Sequence, residues 1–223
     1  MIVESRDSVS LKPAELDEFG QLLRDTGYEI ADQVIDDHVE AYPLIVTVRD
    51  AALEGFLFGS LERIGGTPAT LWSFGAIRKG KTSKQAADLM IAELYRRSAI
   101  SFPDEDVLIG TRLAFPSTYA FVAQRHDVVP RPDYSPTGEE RNWGRHLSKR
   151  FGCEKNFDDK SFMTKKGGKG SAPMFYTEPI KTASKVAMEM VGEPDYTKGE
   201  SMIAFGWATP EELYGELGHP TFD

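Results

Sequence analysis

Three β-rich runs, followed by a change in hydrophobic period, constrain the fold of this chain most strongly. The runs lie at 44–48, 54–64 and 69–77, and they are separated by RDAAL and by GGTP, whose Gly and Pro are typical of hairpins. From Ser83 to Ser98 the apolar residues recur at spacings of three and four, which predicts a helix of about four turns. The segment therefore predicts an antiparallel meander that leads into a helix.

The neighbouring segments extend this pattern on both sides. Residues 13–25 have helical spacing that ends near Gly27, and the acidic stretch 31–40 predicts a second helix. The apolar run 107–115 reads as a buried strand, and we expect it to run parallel to an earlier strand because a helix precedes it. Pro116 opens a further helix. This order predicts an α/β fold with one mixed, mostly antiparallel central sheet flanked by helices.

The pattern weakens beyond Tyr134. A helix at 138–150, a strand at 174–179 (MFYTEP), a helix or turn at 183–192, a strand at 201–209 and a terminal helix from Pro210 are predicted. The basic run KKGGKG at 165–170 lacks the spacing of a phosphate-binding P-loop, so we expect a surface loop there. Four aromatic residues of this region either form its small core or line a bulky acceptor pocket: Trp143, Phe175, Tyr176 and Trp207.

Composition excludes several classes of protein. The formal net charge of -9 disfavours nucleic acid and anionic membranes as partners, because a negative surface repels polyphosphate. The N-terminal residues carry acids early and no window has about 20 consecutive apolar residues, so we expect a cytoplasmic protein with no membrane span.

Cysteine and histidine content is also informative. Cys153 is the single cysteine, so no intramolecular disulfide can form, and we expect a structural thiol. The four histidines are scattered without the paired spacing of a metal site, so no metal is expected. They are His38, His126, His146 and His219.

The junction between the third run and the following helix can bind an anion. Backbone amides at a helix N-terminus, together with the helix dipole, attract phosphate groups. Lys79, Lys81 and Lys84 surround this turn, while Thr82 and Ser83 offer further donors. The alternative is an ordinary helix cap with solvated lysines.

The order of elements from about Leu44 to His126 resembles the GNAT superfamily of N-acyltransferases. In that superfamily the fourth strand and the next helix carry an Arg or Gln, two residues, a Gly, one residue, then Gly or Ala, whose amides hold the pyrophosphate of acyl-CoA. The best register here places Lys81 at the basic position, Lys84 at the first Gly position and Ala86 at the second. Lys84 departs from the family pattern.

The resemblance implies a donor site for acetyl-CoA or another acyl-CoA. A backbone amide of the fourth GNAT strand, here near Phe74 to Ala76, polarises the thioester carbonyl, and Gly75 would relieve crowding where pantetheine inserts. The implied donor-binding residues are Phe74, Gly75, Ala76, Ile77, Lys79, Lys81, Thr82, Ser83, Lys84 and Ala86.

The segment 112–132 is similar to the GNAT unit that supplies the proton donor. Ser117 occupies the family's Asn position, and Gln124 falls where a Tyr serves as general acid, so Tyr119 or Ser117 is the nearest substitute. Packing is the alternative role for Tyr119.

A carboxylate is the common general base for an amine. Glu54 and Glu62 are the two candidates, and they lie eight residues apart on one face of their strand unless a bulge intervenes. Each could instead be a solvated charge near the end of the strand.

The resemblance therefore implies an acyl-CoA-dependent N-acyltransferase that moves an acyl group, acetyl by expectation, to a small-molecule or peptide amine by direct attack. A catalytically inactive GNAT-like binding or regulatory module is the main alternative. A transferase with another donor and an unrelated α/β fold also stay open. We expect residues 1–134 to form the core and 135–223 an extension of the same domain that completes the sheet or the acceptor pocket. A homodimer is left open.

Overall fold

The computed structural model describes residues 1–27, 33–165 and 184–215. The strands are β1 (Ile2–Asp7), β2 (Leu44–Arg49), β3 (Leu53–Ile64), β4 (Thr67–Ile77), β5 (Val107–Leu113), β6 (Phe157–Asp158), β7 (Met163–Thr164) and β8 (Ser201–Ala208). The helices are α1 (Pro13–Thr26), α2 (Gln33–Ala41), α3 (Ser83–Ser101), α4 (Pro116–Ala123), α5 (Gly138–Arg150), α6 (Ser184–Val191) and α7 (Pro210–Gly215).

The eight described strands form one mixed sheet in the order β1-β2-β3-β4-β5-β8-β7-β6. β2, β3 and β4 form the predicted antiparallel meander, and β5 runs parallel to β4, as expected from the helix between them. Every other described pairing is antiparallel. The prediction of a mixed, mostly antiparallel sheet flanked by helices is confirmed.

Helices cover both faces of the sheet, and each face has its own apolar core. On one face, α3, α4, α6 and α7 pack against side chains such as Trp72, Ile109 and Leu113. On the other face, α1, α2 and α5 pack against side chains such as Phe56 and Phe74. Because both faces are buried, apolar side chains dominate both faces of the central strands, which explains their largely hydrophobic sequences.

Local sequence features set the bounds of the helices. Pro13 begins α1 and Gly27 ends it in a left-handed conformation at φ 83°. Thr137 caps α5, where its hydroxyl accepts from the Glu140 amide and the Glu140 carboxylate accepts from the Thr137 amide. The predicted helices are therefore found with bounds close to those expected.

Three strands of the structure were not predicted. β1 is a polar edge strand, while β6 and β7 have two residues each and carry no periodic pattern. The predicted strand at 174–179, with Phe175 and Tyr176, lies outside the described residues, as does the basic run after Lys165. Trp143 and Trp207 pack edge to face, with ring centroids 5.8 Å apart. Within the described ranges, the helices are too short or too polar to cross a membrane.

Candidate active site

The parallel pairing of β4 and β5 stops midway along β4. The paired residues run from Ala69 and Leu108 to Trp72 and Thr111. Beyond that pair, β4 stays with β3 as far as Ile77, whereas β5 stays with β8 as far as Leu113. The edge of β4 from residue 73 to residue 77 therefore faces an opening between two diverging strands.

A β-bulge in β4 coincides with this opening. Leu57 pairs with Gly75 and Gly59 pairs with Trp72, so Ser73 and Phe74 together oppose a single residue of β3. A Cβ atom at Gly75 would clash with the Phe56 carbonyl oxygen and lie 3.1 Å from the Cα of Leu57. The need for glycine therefore comes from the close approach of β3. The expectation that Gly75 also relieves crowding against pantetheine stays a prediction.

The N-terminus of α3 lies at the carboxyl end of β4. The Ser83 amide donates to the Gly80 carbonyl at 3.3 Å and the Ala86 amide donates to the Thr82 carbonyl at 2.9 Å. Those two amides are occupied, which removes Ala86 as an amide donor to a ligand. Across the described residues no acceptor is found for the amides of Lys84 and Gln85, which lie on exposed residues of the first turn.

Basic side chains surround these two amides. Lys79 and Lys81 are exposed, and within the described ranges no ion pair involves either side chain. Lys84 pairs with Asp88 at 2.7 Å, and Arg78 pairs with Asp25 at 3.3 Å. In the described part of the chain, the turn thus combines two amides that lack an acceptor with two unpaired ammonium groups, which is a suitable arrangement for a diphosphate.

The structure separates the two carboxylates that the sequence suggested as bases. Eight residues along an extended strand span about 26 Å. Glu54 is itself a bulged residue of β3, because Val48 pairs with Gly55 and Arg49 with Leu53. Glu54 lies beside the α3 N-terminus, 3.4 Å from the Thr82 hydroxyl.

Glu62 lies towards the other end of β3. Arg150 donates to its carboxylate at 2.8 Å and so does the Ser60 hydroxyl, also at 2.8 Å. The Arg150 guanidinium stacks on the Tyr42 ring, 4.7 Å from its centroid. Glu62 therefore belongs to a cluster on the α2 and α5 side of the sheet, whereas Glu54 does not.

The two residues expected as proton donors lie on α4, which begins just after β5. Tyr119 is buried and its hydroxyl donates to the Pro130 carbonyl at 2.9 Å. Burial also raises the pKa of this phenol. A buried hydroxyl that is already engaged favours packing, the alternative role of Tyr119, over proton donation. Ser117 lies partly buried in the first turn of α4, four residues after the end of β5.

Sequence reasoning missed a polar cluster beside the bulge, on the face covered by α2 and α5. His38 contacts Phe74 in a tilted arrangement, with ring centroids 4.7 Å apart, and it stacks on Tyr42 at 5.4 Å. Its Nδ1 lies 2.7 Å from the Val34 carbonyl oxygen, which can only accept, so Nδ1 carries the proton. Burial is the main cause that lowers the pKa of His38 to about 4. The imidazole is therefore neutral near pH 7 with its lone pair on Nε2.

Arg112 is a second member of this cluster that the sequence did not identify. It is 3% exposed, and it donates to the Ser201 hydroxyl and to the carbonyls of Gly199 and Phe151. Burial is the main cause that lowers the pKa of this guanidinium. An arginine inside the apolar run 107–115, and a histidine on the apolar face of α2 with Ile35, were the available signals for this cluster.

Similarity to known proteins is found in the structure and not in the sequence. No family model and no curated protein matches the sequence. An aminoglycoside 6'-acetyltransferase type Ii shares 16% identity over 60% of this chain and 89% of its own, with a TM-score of 0.45. The structure is similar to GNAT acetyltransferases.

Two further solved structures belong to the same group of matches. The aminoglycoside 6'-N-acetyltransferase of Enterococcus faecium shares 17% identity over 59% of this chain and 67% of its own, with a TM-score of 0.41. A GNAT family acetyltransferase of Brucella melitensis in complex with acetyl-CoA shares 14% identity over 48% of this chain and 75% of its own, with a TM-score of 0.35. These similarities concern the fold alone.

Within the described ranges, no group of three or more His, Cys, Asp or Glu side chains is arranged to hold a metal ion. Cys153 is a buried free thiol whose pKa is raised by burial.

Proposed function

We propose that this protein is an acyl-CoA-dependent N-acyltransferase that moves an acyl group, most simply acetyl, to an amine. One observation carries the proposal: β4 and β5 diverge after Trp72 and Thr111, and the α3 N-terminus with its two unoccupied amides lies at the same end of β4. Ligands of open α/β sheets bind in such crevices at the carboxyl ends of strands. An acyl thioester linked to a diphosphate matches both parts of the site.

The donor would be held by backbone groups first and by side chains second. The amides of Lys84 and Gln85 would bind the diphosphate, with Lys79 and Lys81 adding charge. The edge of β4 from Phe74 to Ile77 would bind the pantetheine arm through main-chain groups that β5 no longer pairs. Thr82, Ser83 and Lys84 complete the turn. Acyl-CoA supplies the acyl group as a thioester.

The chemistry requires a group that accepts a proton from the attacking amine and a group that stabilises the leaving thiolate. We propose that Nε2 of His38 accepts the hydrogen bond from the amine, because a neutral imidazole adjoins Phe74 at the bulge. Glu62 is the second candidate, but its carboxylate is already held by Arg150. Ser117, at the start of α4, is the proposed proton donor to the thiolate.

The amine acceptor is proposed to be a small molecule or a peptide terminus. We propose that residues 135–223 belong to the same domain as 1–134, which is supported by the pairing of β8 with β5 along the whole of β5. The net charge of -9 and the single cysteine support a cytoplasmic enzyme that binds neither nucleic acid nor membranes.

A thiol-release assay tests this proposal. The purified protein is incubated with acetyl-CoA and a panel of amines, and free CoA thiol is measured together with the mass of the acylated amine. Stoichiometric appearance of both products supports the proposal. Binding of acetyl-CoA without turnover on any amine would instead indicate a GNAT-like binding module, and absence of binding would contradict both functions.

A further inference from the structure

β1 is an edge strand of the sheet, so only one side of its backbone is bonded to a neighbouring strand, β2. The Ser8 amide donates to the Pro43 carbonyl, and these two residues are directly opposite in the continuation of the β1–β2 register. In an antiparallel ladder, hydrogen-bonded pairs alternate with non-hydrogen-bonded pairs. Ile2, Glu4 and Arg6 therefore bond to β2, and the backbone groups of the residues between them point away from the sheet.

The residues of β1 whose backbone amides and carbonyls point away from β2 are Val3, Ser5 and Asp7. Their amides have no acceptor anywhere in the part of the chain that the structure describes, and neither Val3 nor Ser5 has a donor to its carbonyl. The Asp7 carbonyl accepts only the Ser10 hydroxyl. An edge with free alternating amides and carbonyls is a template for another strand.

The sequence of β1 is complementary to itself when it is reversed. We propose that β1 pairs antiparallel with β1 of a second copy of this chain, centred on Ser5, to form a homodimer with a continuous sheet. In this register Ser5 faces Ser5, Val3 faces Asp7, and Glu4 of each copy faces Arg6 of the other. Glu4 and Arg6 then form non-hydrogen-bonded pairs, in which opposing side chains lie closest.

Neighbouring registers are less favourable. A centre at Glu4 places two carboxylates opposite each other, and a centre at Arg6 places two guanidinium groups opposite each other, both of which are destabilising. Glu4 is exposed and has no ion pair within the described residues, so it is free to bind a partner. Arg6 already donates to Glu15 but keeps 34% of its side chain exposed and has further donors available.

Exposed apolar side chains support the same register. Ile2 is 70% exposed and Val9 is 73% exposed, the two highest values among the large apolar residues of the described segments. Pairing centred on Ser5 extends from Val3 to Asp7, the last residue of β1, so Ile2 of each copy lies at the end of the ladder, where Ser8–Ser10 of the other copy forms a 3₁₀ turn that carries Val9. The dimer would therefore bury the two most exposed apolar side chains at both ends of the new strand pair.

Sedimentation equilibrium of the full chain tests the proposal by charge exchange. Glu4→Arg and Arg6→Glu should each raise the dimer dissociation constant roughly tenfold or more, because each opposes like charges twice. An equimolar mixture of the two variants should regain dimerisation, since both cross-strand pairs are then of opposite charge. Glu189→Arg, at an exposed position on α6, is the control and should leave the constant unchanged.

Amide hydrogen exchange of the unmodified protein gives an independent readout if Arg6→Glu fails to fold. The amides of Val3, Ser5 and Asp7 should exchange slowly at high protein concentration and rapidly on dilution, while those of Glu4 and Arg6 stay protected throughout. A monomer at the highest soluble concentration would overturn the proposal. So would a dimer that Glu4→Arg leaves intact, or exchange at Ser5 that does not depend on concentration.

Discussion

Trp72 and Thr111 form the last residue pair of the parallel ladder between β4 and β5. Beyond them the two strands follow different neighbours, so main-chain groups of β4 are left to face an opening that begins at the bulge of Ser73 and Phe74. The α3 N-terminus and the His38 cluster lie on either side of this opening. Each part can be perturbed separately.

Lys81→Glu should weaken acetyl-CoA binding at least tenfold, which corresponds to about 1.4 kcal/mol, because it places a carboxylate where a diphosphate would bind. Lys160→Glu changes an exposed lysine on a turn after β6 by the same charge and is the matched control. Isothermal titration of both variants with acetyl-CoA measures the difference. Equal affinities for the two variants would mean that the anion binds elsewhere.

Gly75→Ala should destabilise the folded protein by roughly 1–3 kcal/mol, because the added methyl would clash with the Phe56 carbonyl oxygen and β3 would have to move. Gly80→Ala is the control, since no atom lies within 4 Å of the position that its added methyl would take. Urea unfolding compares both variants with the unmodified protein. A stable Gly75→Ala variant would show that the strands have more room than the structure gives.

His38 should make stability depend on pH in the acidic range. The unfolded imidazole binds a proton below about pH 6.5, whereas the buried one, with its pKa lowered to about 4, does so only near that value. Between these values the unfolded state binds more protons, so stability is complete above pH 6.5 and falls as the pH is lowered towards 4, by up to about 3 kcal/mol. Denaturant titrations from pH 7 to pH 4.5 should show a flatter profile for His38→Phe than for the unmodified protein.

His38→Phe should also lower kcat by about 10²–10⁴-fold while the dissociation constant of acetyl-CoA stays unchanged, because the imidazole is proposed to act on the amine alone. Glu62→Gln is the comparison, since it removes the competing base and leaves Arg150 without its carboxylate. Steady-state kinetics with a saturating donor separates the two. A larger loss for Glu62→Gln than for His38→Phe would transfer the role of base to Glu62.

The sequence predicted those parts of the fold that depend on local patterns. Gly and Pro between β-rich runs marked the meander, and the change of period after Ser83 marked α3. β1 was missed because Ile2–Asp7 has four polar residues in succession and no apolar alternation, on an edge where neither face is fully buried. β6 and β7 are too short to carry any period.

The site was less predictable because its key features are long-range. The end of the β4–β5 ladder depends on how the strands pair, and neither strand's sequence indicates it. Simple strand alternation places Glu54 and Glu62 on one face of β3, and the bulge at Glu54 that shifts this alternation depends on the pairing with β2. The position of His38 against Phe74 depends on how α2 packs on the sheet. The hydrogen bond from the Tyr119 hydroxyl to the Pro130 carbonyl depends on a loop eleven residues further along the chain.

The most direct test of the donor site is a titration of the isotopically labelled protein with acetyl-CoA, followed by amide chemical shifts. We predict that the largest downfield shifts occur at the amides of Lys84 and Gln85, with further changes from Phe74 to Ile77, and that Ser83 and Ala86 move less because their amides are already bonded. Saturating acetyl-CoA that leaves the Lys84 and Gln85 amides unmoved would contradict the proposed donor site.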